Sequence, residues 1–238
     1  RYYAMKVIRK ISNNKEEEEK LENEINILRK LDHPNIVKIT DFYSLKNEYN
    51  IITEYCQDGE LLDEIKAEAP FSETLAGHYM YQIFSALCYC HSMRIIHREL
   101  KPQNILLAKK VKSGMHPIKI IDFGTAKVFD KPEIEHKVIG SAYYIAPEAL
   151  SKNYTEKCDL WSCGVIMYIL LTGRPPFNGR SEKEIMRKIA TGIYDVSKYP
   201  WGIISENAKD LLKGLLQVDP KRRYTAKAAL EHPWFESN

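Results

Sequence analysis

Apolar and polar side chains alternate along the opening residues "RYYAMKVI": Tyr3, Met5 and Val7 fall on one side, Ala4, Lys6 and Ile8 on the other. A period of two predicts a strand. Lys6 sits on a largely apolar face, where an ammonium needs a partner. The period then changes. Leu21, Ile25 and Leu28 recur at i, i+4 and i+7, which predicts a helix with these residues inward. Glu24 lies three after Leu21 and four before Leu28 and shares their face. An inward lysine on a strand and an inward glutamate on the next helix invite pairing. The other reading of the same spacing is two solvated side chains at the margins of their faces.

"LDHPNIVKI" ends that helix before Pro34, since the residue preceding proline is pushed out of the helical region. "EYNIITEYC" predicts another strand, and "DGE" (Asp58 to Glu60) turns into a short helix. From Ser72, a plausible N-cap, Leu75, Tyr79, Ile83 and Leu87 keep a period near four as far as His91. Short extended pieces flank "KPQN" and "DFG". Helices are predicted over Leu160 to Leu171, Glu182 to Ala190 and Asn207 to Val218, the last closed by "DP". A strand-rich start and a helix-rich remainder predict two lobes with a hinge near Glu54 to Asp58.

Composition narrows the field without deciding it. The 238 residues are 44% hydrophobic, enough for a sizeable core, and the net charge of +3 is too mild to argue for nucleic acid or an anionic membrane. The most apolar run, "LWSCGVIMYILL", is too short to span a bilayer and reads as a buried core helix. No signal pattern, internal repeat or low-complexity linker is present, and "KEEEEK" reads as a solvated loop or helix start. Cys56, Cys88, Cys90, Cys158 and Cys163 have no framework spacing, which points to a reducing, cytoplasmic compartment; Cys88, Cys90 and His91 read as helix residues before they read as metal ligands.

The chemistry lies in an ordered series: Lys6, Glu24, "HRELKPQN", "DFG" (Asp122 to Gly124), "APE" (Ala146 to Glu148), Asp159 and Arg223. Each is modest evidence alone. In this order and spacing they resemble the signature of the eukaryotic protein kinases, over the whole chain. "LDHPNIVK", "DGELLDEI", "GSAYYIAPE", "DLWSCGVIMYILLTGRPPF" and "LEHPWF" are most similar to the calcium-dependent serine/threonine kinases of the calcium/calmodulin-dependent group. The resemblance implies an α+β, bilobal protein-kinase-like fold with a small β-rich N-lobe (1–56) and a larger helical C-lobe (57–238).

It also implies roles. Lys6 would hold the α- and β-phosphates of ATP and Glu24 would fix that lysine. Asp122 and Asn104 would bind Mg²⁺, as oxygen ligands suited to a hard cation. Lys101 would neutralise the γ-phosphate. The backbone of Glu54 to Cys56 would bind adenine behind the short side chain of Thr53, with Leu106 and Ile121 completing the nucleotide site. His97 and Asp159 would be supports of the catalytic loop, and Glu148 and Arg223 a buried ion pair. Glu60 would meet a basic residue upstream of the phosphorylated serine or threonine, while Gln103, replacing the glutamate usual in "KPEN", would remove one acidic contact. Ser141 would hydrogen-bond Lys101 and the residue-99 carboxylate, and Glu133 or Glu135 would stand in for an activating phosphate opposite Arg98.

Two features depart from the family. Glu99 stands where an aspartate accepts the substrate's proton. One added methylene moves the carboxylate by about 1 Å, a misplacement that can cost on the order of 100-fold. The expectation is a protein serine/threonine kinase of reduced activity; the alternative is a nucleotide-binding pseudokinase that serves as an interaction scaffold. Nor does any stretch read G-x-G-x-x-G, and the chain opens partway along the strand of Lys6. The expectation is a fragment of a longer protein, whose calcium sensor, if calcium controls it, lies outside these residues.

Overall fold

A computed structural model describes residues 2–10, 15–129, 133–134, 142–150 and 153–236, the side chains of 15–17, 133–134 and 153–154 excepted. The first strand, β1 (Tyr3–Arg9), is followed by helix α1 (Lys15–Leu28) and strands β2 (Ile39–Ser44) and β3 (Glu48–Glu54). The three strands form an antiparallel sheet in the order β1-β3-β2, with Lys6 opposite Ile51. The alternation of the opening residues survives: Tyr3, Met5 and Val7 are exposed, while Ala4 and Ile8 are half-buried on the face of Lys6. Leu21 and Ile25 of α1 pack with Ile51 of β3 in a small cluster of their own.

Beyond β3 the chain is mainly helical. Helix α2 (Leu61–Glu68) is followed by α3 (Glu73–Ser92), where the Ser72 hydroxyl accepts the Leu75 amide at 3.2 Å. That bond satisfies one of the orphan amides at the helix start. α3 buries Ala76, Tyr79, Met80, Ile83, Phe84 and Leu87 at helical spacing. Two short antiparallel pairs come next: β4 (Ile95–Ile96) with β7 (Lys127–Val128), and, nested between them in sequence, the hairpin of β5 (Ile105–Leu107) and β6 (Ile118–Ile120). They hold the two loops that carry "HRELKPQN" and "DFG". After β8 (Glu133–Ile134), α4 (Pro147–Leu150) and β9 (Asn153–Tyr154) comes α5 (Lys157–Thr172), buried at every position from Cys158 to Leu171. A helix apolar all round belongs at the centre of a core. It stops at Gly173, whose φ of 72° is the left-handed conformation that glycine adopts without strain. Helices α6 (Glu182–Thr191), α7 (Glu206–Leu215) and α8 (Ala226–Leu230) complete the layer.

The sequence pattern runs α7 three residues too far. The helix closes at Leu215, and beyond it the carbonyls of Gln217 and Val218, which no helical amide reaches, accept from Arg223 Nε at 2.9 Å and Nη2 at 3.4 Å. The main core is continuous across the sequence division at 56/57, since Ile27, Leu28, Leu31, Ile36 and Val37 join the cluster built around α3 and α5. Among the described residues no helix is long and apolar enough to cross a membrane.

Candidate active site

A cleft of about 540 Å³ opens between the three-stranded sheet and the β5–β6 hairpin. Its lining contains Lys6, Glu24, Thr53, Glu54, Cys56, Glu60, Lys101, Asn104, Leu106, Ile121 and Asp122, brought together from widely separated parts of the sequence. Ala4, Leu28, Val37, Ile51, Tyr55 and Gln103 also line it. Most of these additions follow from residues already singled out. Ala4 shares the strand face of Lys6, Ile51 is its cross-strand partner, and Leu28 is one helical turn beyond Glu24.

Lys6 Nζ donates to Glu24 Oε2 at 3.2 Å. Glu24 is buried, but the lysine side chain is 54% exposed, so the ammonium stands at the mouth of the cleft rather than in the interior inferred from its apolar face. That position suits a cation that must meet a ligand arriving from solvent.

The floor is a pair of linked loops. His97 is fully buried: its Nε2 hydrogen-bonds the Ile121 carbonyl oxygen at 3.0 Å, its Nδ1 accepts the Glu99 amide at 3.3 Å, and its ring packs edge-on against Phe123. Both ring nitrogens are engaged in holding loops together. Asp159, at the first turn of α5, accepts the amides of His97 at 3.0 Å and Arg98 at 2.9 Å, with His91 Nε2 at 2.8 Å from the same carboxylate. Burial pushes the Asp159 carboxyl up, but the hydrogen bonds from His91 and from the backbone amide of His97 outweigh it and hold the group below the usual carboxylate range. His91, beside Cys88 and Cys90 on α3, is thereby committed to Asp159. Burial pushes the Cys90 thiol well up and that of Cys56 to about 11, so both stay neutral near pH 7.

Asp122 has φ of +65°, a conformation that costs an ordinary residue on the order of 1–3 kcal/mol and is found where function demands it. Its carboxylate faces the cleft while the neighbouring Phe123 is buried beneath. Asn104 Nδ2 donates to the Glu99 carbonyl at 2.9 Å, which leaves the amide oxygen as the atom offered to a cation. A carboxylate and an amide oxygen form a hard donor set that fits a small divalent cation. Gln103 Oε1 is buried with no hydrogen-bond partner among the described residues.

Glu99 is outside the cleft lining, one contact away: its Oε1 accepts from Lys101 Nζ at 2.7 Å. Glu148 and Arg223 form a bidentate pair at 2.6 and 2.8 Å below the site, and the arginine is fully buried. Ser141 and Glu135 lie outside the described residues, as does the side chain of Glu133.

Comparison with known proteins places this geometry. A family model described as "Protein kinase domain" matches residues 1–235. The chain is 44% identical over 233 residues to calcium-dependent protein kinase 4 of Plasmodium berghei (strain Anka), covering 98% of this chain and 44% of that protein. It is 43% identical over 237 residues to calcium-dependent protein kinase 29 of Arabidopsis thaliana, again covering 98% of this chain and 44% of the relative. The chain therefore spans a little under half the length of these relatives.

Proposed function

From the premise that this chain belongs to the protein kinase domain family, we propose that it transfers the γ-phosphoryl group of ATP to serine or threonine hydroxyls of proteins, with Mg²⁺ as the cation. The observation that carries the reading is the convergence of Lys6, Glu24, Asn104 and Asp122 on one cleft, with Glu99 and Lys101 joined at its edge.

Phosphoryl transfer asks a protein mainly for positioning and charge stabilisation. The Lys6 ammonium, oriented by Glu24, holds the α- and β-phosphates. Thr53 and the Glu54–Cys56 segment bound the adenine, with Leu106 and Ile121 beneath it. The Asp122 carboxylate and the Asn104 amide oxygen hold the divalent cation, which when bound neutralises charge on the phosphates. Glu99 accepts the proton of the substrate hydroxyl as its oxygen forms the new bond to the γ-phosphorus and the bond to ADP breaks. Lys101 keeps the Glu99 carboxylate in place and offsets charge developing on the transferred group.

Glu99 also gives the second reading its footing. A carboxylate on a longer stem, already bonded to Lys101, supports a nucleotide-binding scaffold with little turnover. The two readings separate in one experiment on the full-length protein. Calorimetric titration with ATP, with and without Mg²⁺, reports binding; mass spectrometry of a serine-containing basic peptide reports transfer. Mg²⁺-dependent binding with a phosphorylated peptide supports the kinase, binding without product supports the scaffold, and no binding removes both.

Glu60 lines the cleft, and in this reading it meets a basic residue upstream of the phosphorylated hydroxyl. A peptide array is expected to show an arginine preference that Glu60→Ala reduces; an array indifferent to arginine contradicts that role. By likeness to the relatives named as calcium-dependent, we further propose calcium control of the full-length protein through a sensor beyond these residues, and from the five free cysteines cytoplasmic residence.

A further inference from the structure

Asn23 stands on α1 one residue before Glu24, so its side chain leaves the helix roughly 100° away from the carboxylate that meets Lys6. Its Nδ2 donates to the carbonyl oxygen of Ala126 at 2.7 Å, across 103 residues of sequence. That acceptor is well fixed. The Ala126 amide donates back to the Phe123 oxygen at 3.0 Å, the residue is buried, and β7 begins at the next position and pairs with β4. The preceding Thr125 is anchored too: its hydroxyl donates to the His97 carbonyl at 3.2 Å and its own carbonyl accepts Arg98 Nε at 2.5 Å. Asn23 thus hooks the helix carrying Glu24 onto the segment carrying Asp122.

The hook falls where α1 packs in the smaller of the two apolar clusters. Leu21 and Ile25 pack only in the small cluster with Ile51, whereas Ile27 and Leu28 enter the main core. A stretch packed in a small satellite cluster opens before one seated in the main core. The gap being held is narrow. A β-carbon on Gly124 would lie 3.4 Å from Asp122 Oδ1 and 3.8 Å from Glu24 Oε2, so the two carboxylates flank one glycine. If α1 moves outward, Glu24 leaves Lys6 and the spacing between the lysine site and the cation site is lost.

We infer that Asn23 is a positioning residue for phosphoryl transfer: through its bond to Ala126 it keeps the Lys6–Glu24 pair in register with Asp122. It touches neither substrate nor cation, and this role rests on the proposed kinase reading.

The test compares the full-length protein with Asn23→Leu, which removes the donor at similar volume, and Asn23→Gln, which restores an amide. A net hydrogen-bond loss of ordinary size predicts a roughly three- to tenfold fall in kcat for Asn23→Leu with the peptide KM within about twofold of wild type. Asn23→Gln is expected to recover at least half of that fall, and in a Glu24→Gln background the leucine substitution is expected to cost less, because both act through one pair. A second readout is independent of turnover: α1 amides should exchange hydrogen faster in Asn23→Leu, with α3 unchanged. A wild-type kcat in Asn23→Leu, an undiminished effect in the Glu24→Gln background, or unchanged α1 exchange overturns the inference. If the wild-type protein transfers no phosphate, the kinase reading fails, and faster α1 exchange in Asn23→Leu still identifies the tether.

Discussion

Glu99 puts its carboxylate one methylene further from the backbone than aspartate would, and the Lys101 ammonium meets it at 2.7 Å. The backbone beneath is fixed from two sides, by the Glu99 amide on His97 and the Asn104 amide on the Glu99 carbonyl. The loop therefore has little freedom to withdraw and compensate for the longer side chain. General-base assistance is worth roughly 10²–10⁴-fold, so a displaced base should forfeit part of it. Glu99→Asp is expected to raise kcat on a peptide by about tenfold or more with ATP affinity unchanged; equal turnover with ATP still bound would contradict the displacement. Thr53 gives a second residue-scale prediction. Its short, half-buried side chain borders the cleft on β3. Thr53→Met should weaken competitive inhibitors that carry a bulky group behind the adenine position by at least about tenfold while sparing ATP, as overpacking a shaped cavity does. Unchanged inhibitor constants would show that the space behind residue 53 is not used.

At the scale of elements, the floor of the site is held by helix α5 acting through one carboxylate. Asp159 serves the amides of His97 and Arg98 and faces His91. Because its folded-state pKa is depressed, its stabilisation is fully present above the unfolded carboxylate value of about 4 and is lost as pH falls through the lower folded value. Asp159→Asn is expected to cost about 2–3 kcal/mol at pH 7, and the gap from wild type should shrink below about pH 4 in denaturant titrations. A gap that is constant with pH would show that the charge contributes nothing. Much at this scale was legible in the sequence. The strand of Lys6, the cap at Ser72, the helix from Glu73 and the all-apolar helix after Asp159 follow from period and local chemistry. The spacing left the Lys6–Glu24 pairing open against two solvated side chains, and the structure shows the pair with the lysine half exposed. The parts that were not legible depend on partners far away in sequence. The carbonyls that follow α7 are taken up by Arg223, the His91–Asp159 contact spans 68 residues, and the Asn23–Ala126 bond spans 103. Periodicity carries no record of such contacts.

For the whole molecule, function depends on assembling one cleft from two unlike halves. The sheet contributes Lys6, Thr53 and Glu54, α1 contributes Glu24, and the hairpin-held loops contribute Asn104 and Asp122. A core continuous from α1 through α3 and α5 makes the lower half rigid, while the outer part of the sheet is secured by far less buried surface. That division suits a site whose floor must be fixed and whose roof must admit a nucleotide. The central claim is that this cleft moves a phosphoryl group by means of Asp122. The most direct measurement is the initial rate of labelled phosphate transfer from ATP to a basic serine peptide by the full-length protein, wild type beside Asp122→Ala. The expected result is a Mg²⁺-dependent rate that Asp122→Ala lowers at least about 100-fold, as loss of a group acting on transition-state charge does. Equal rates in the two proteins would contradict the account.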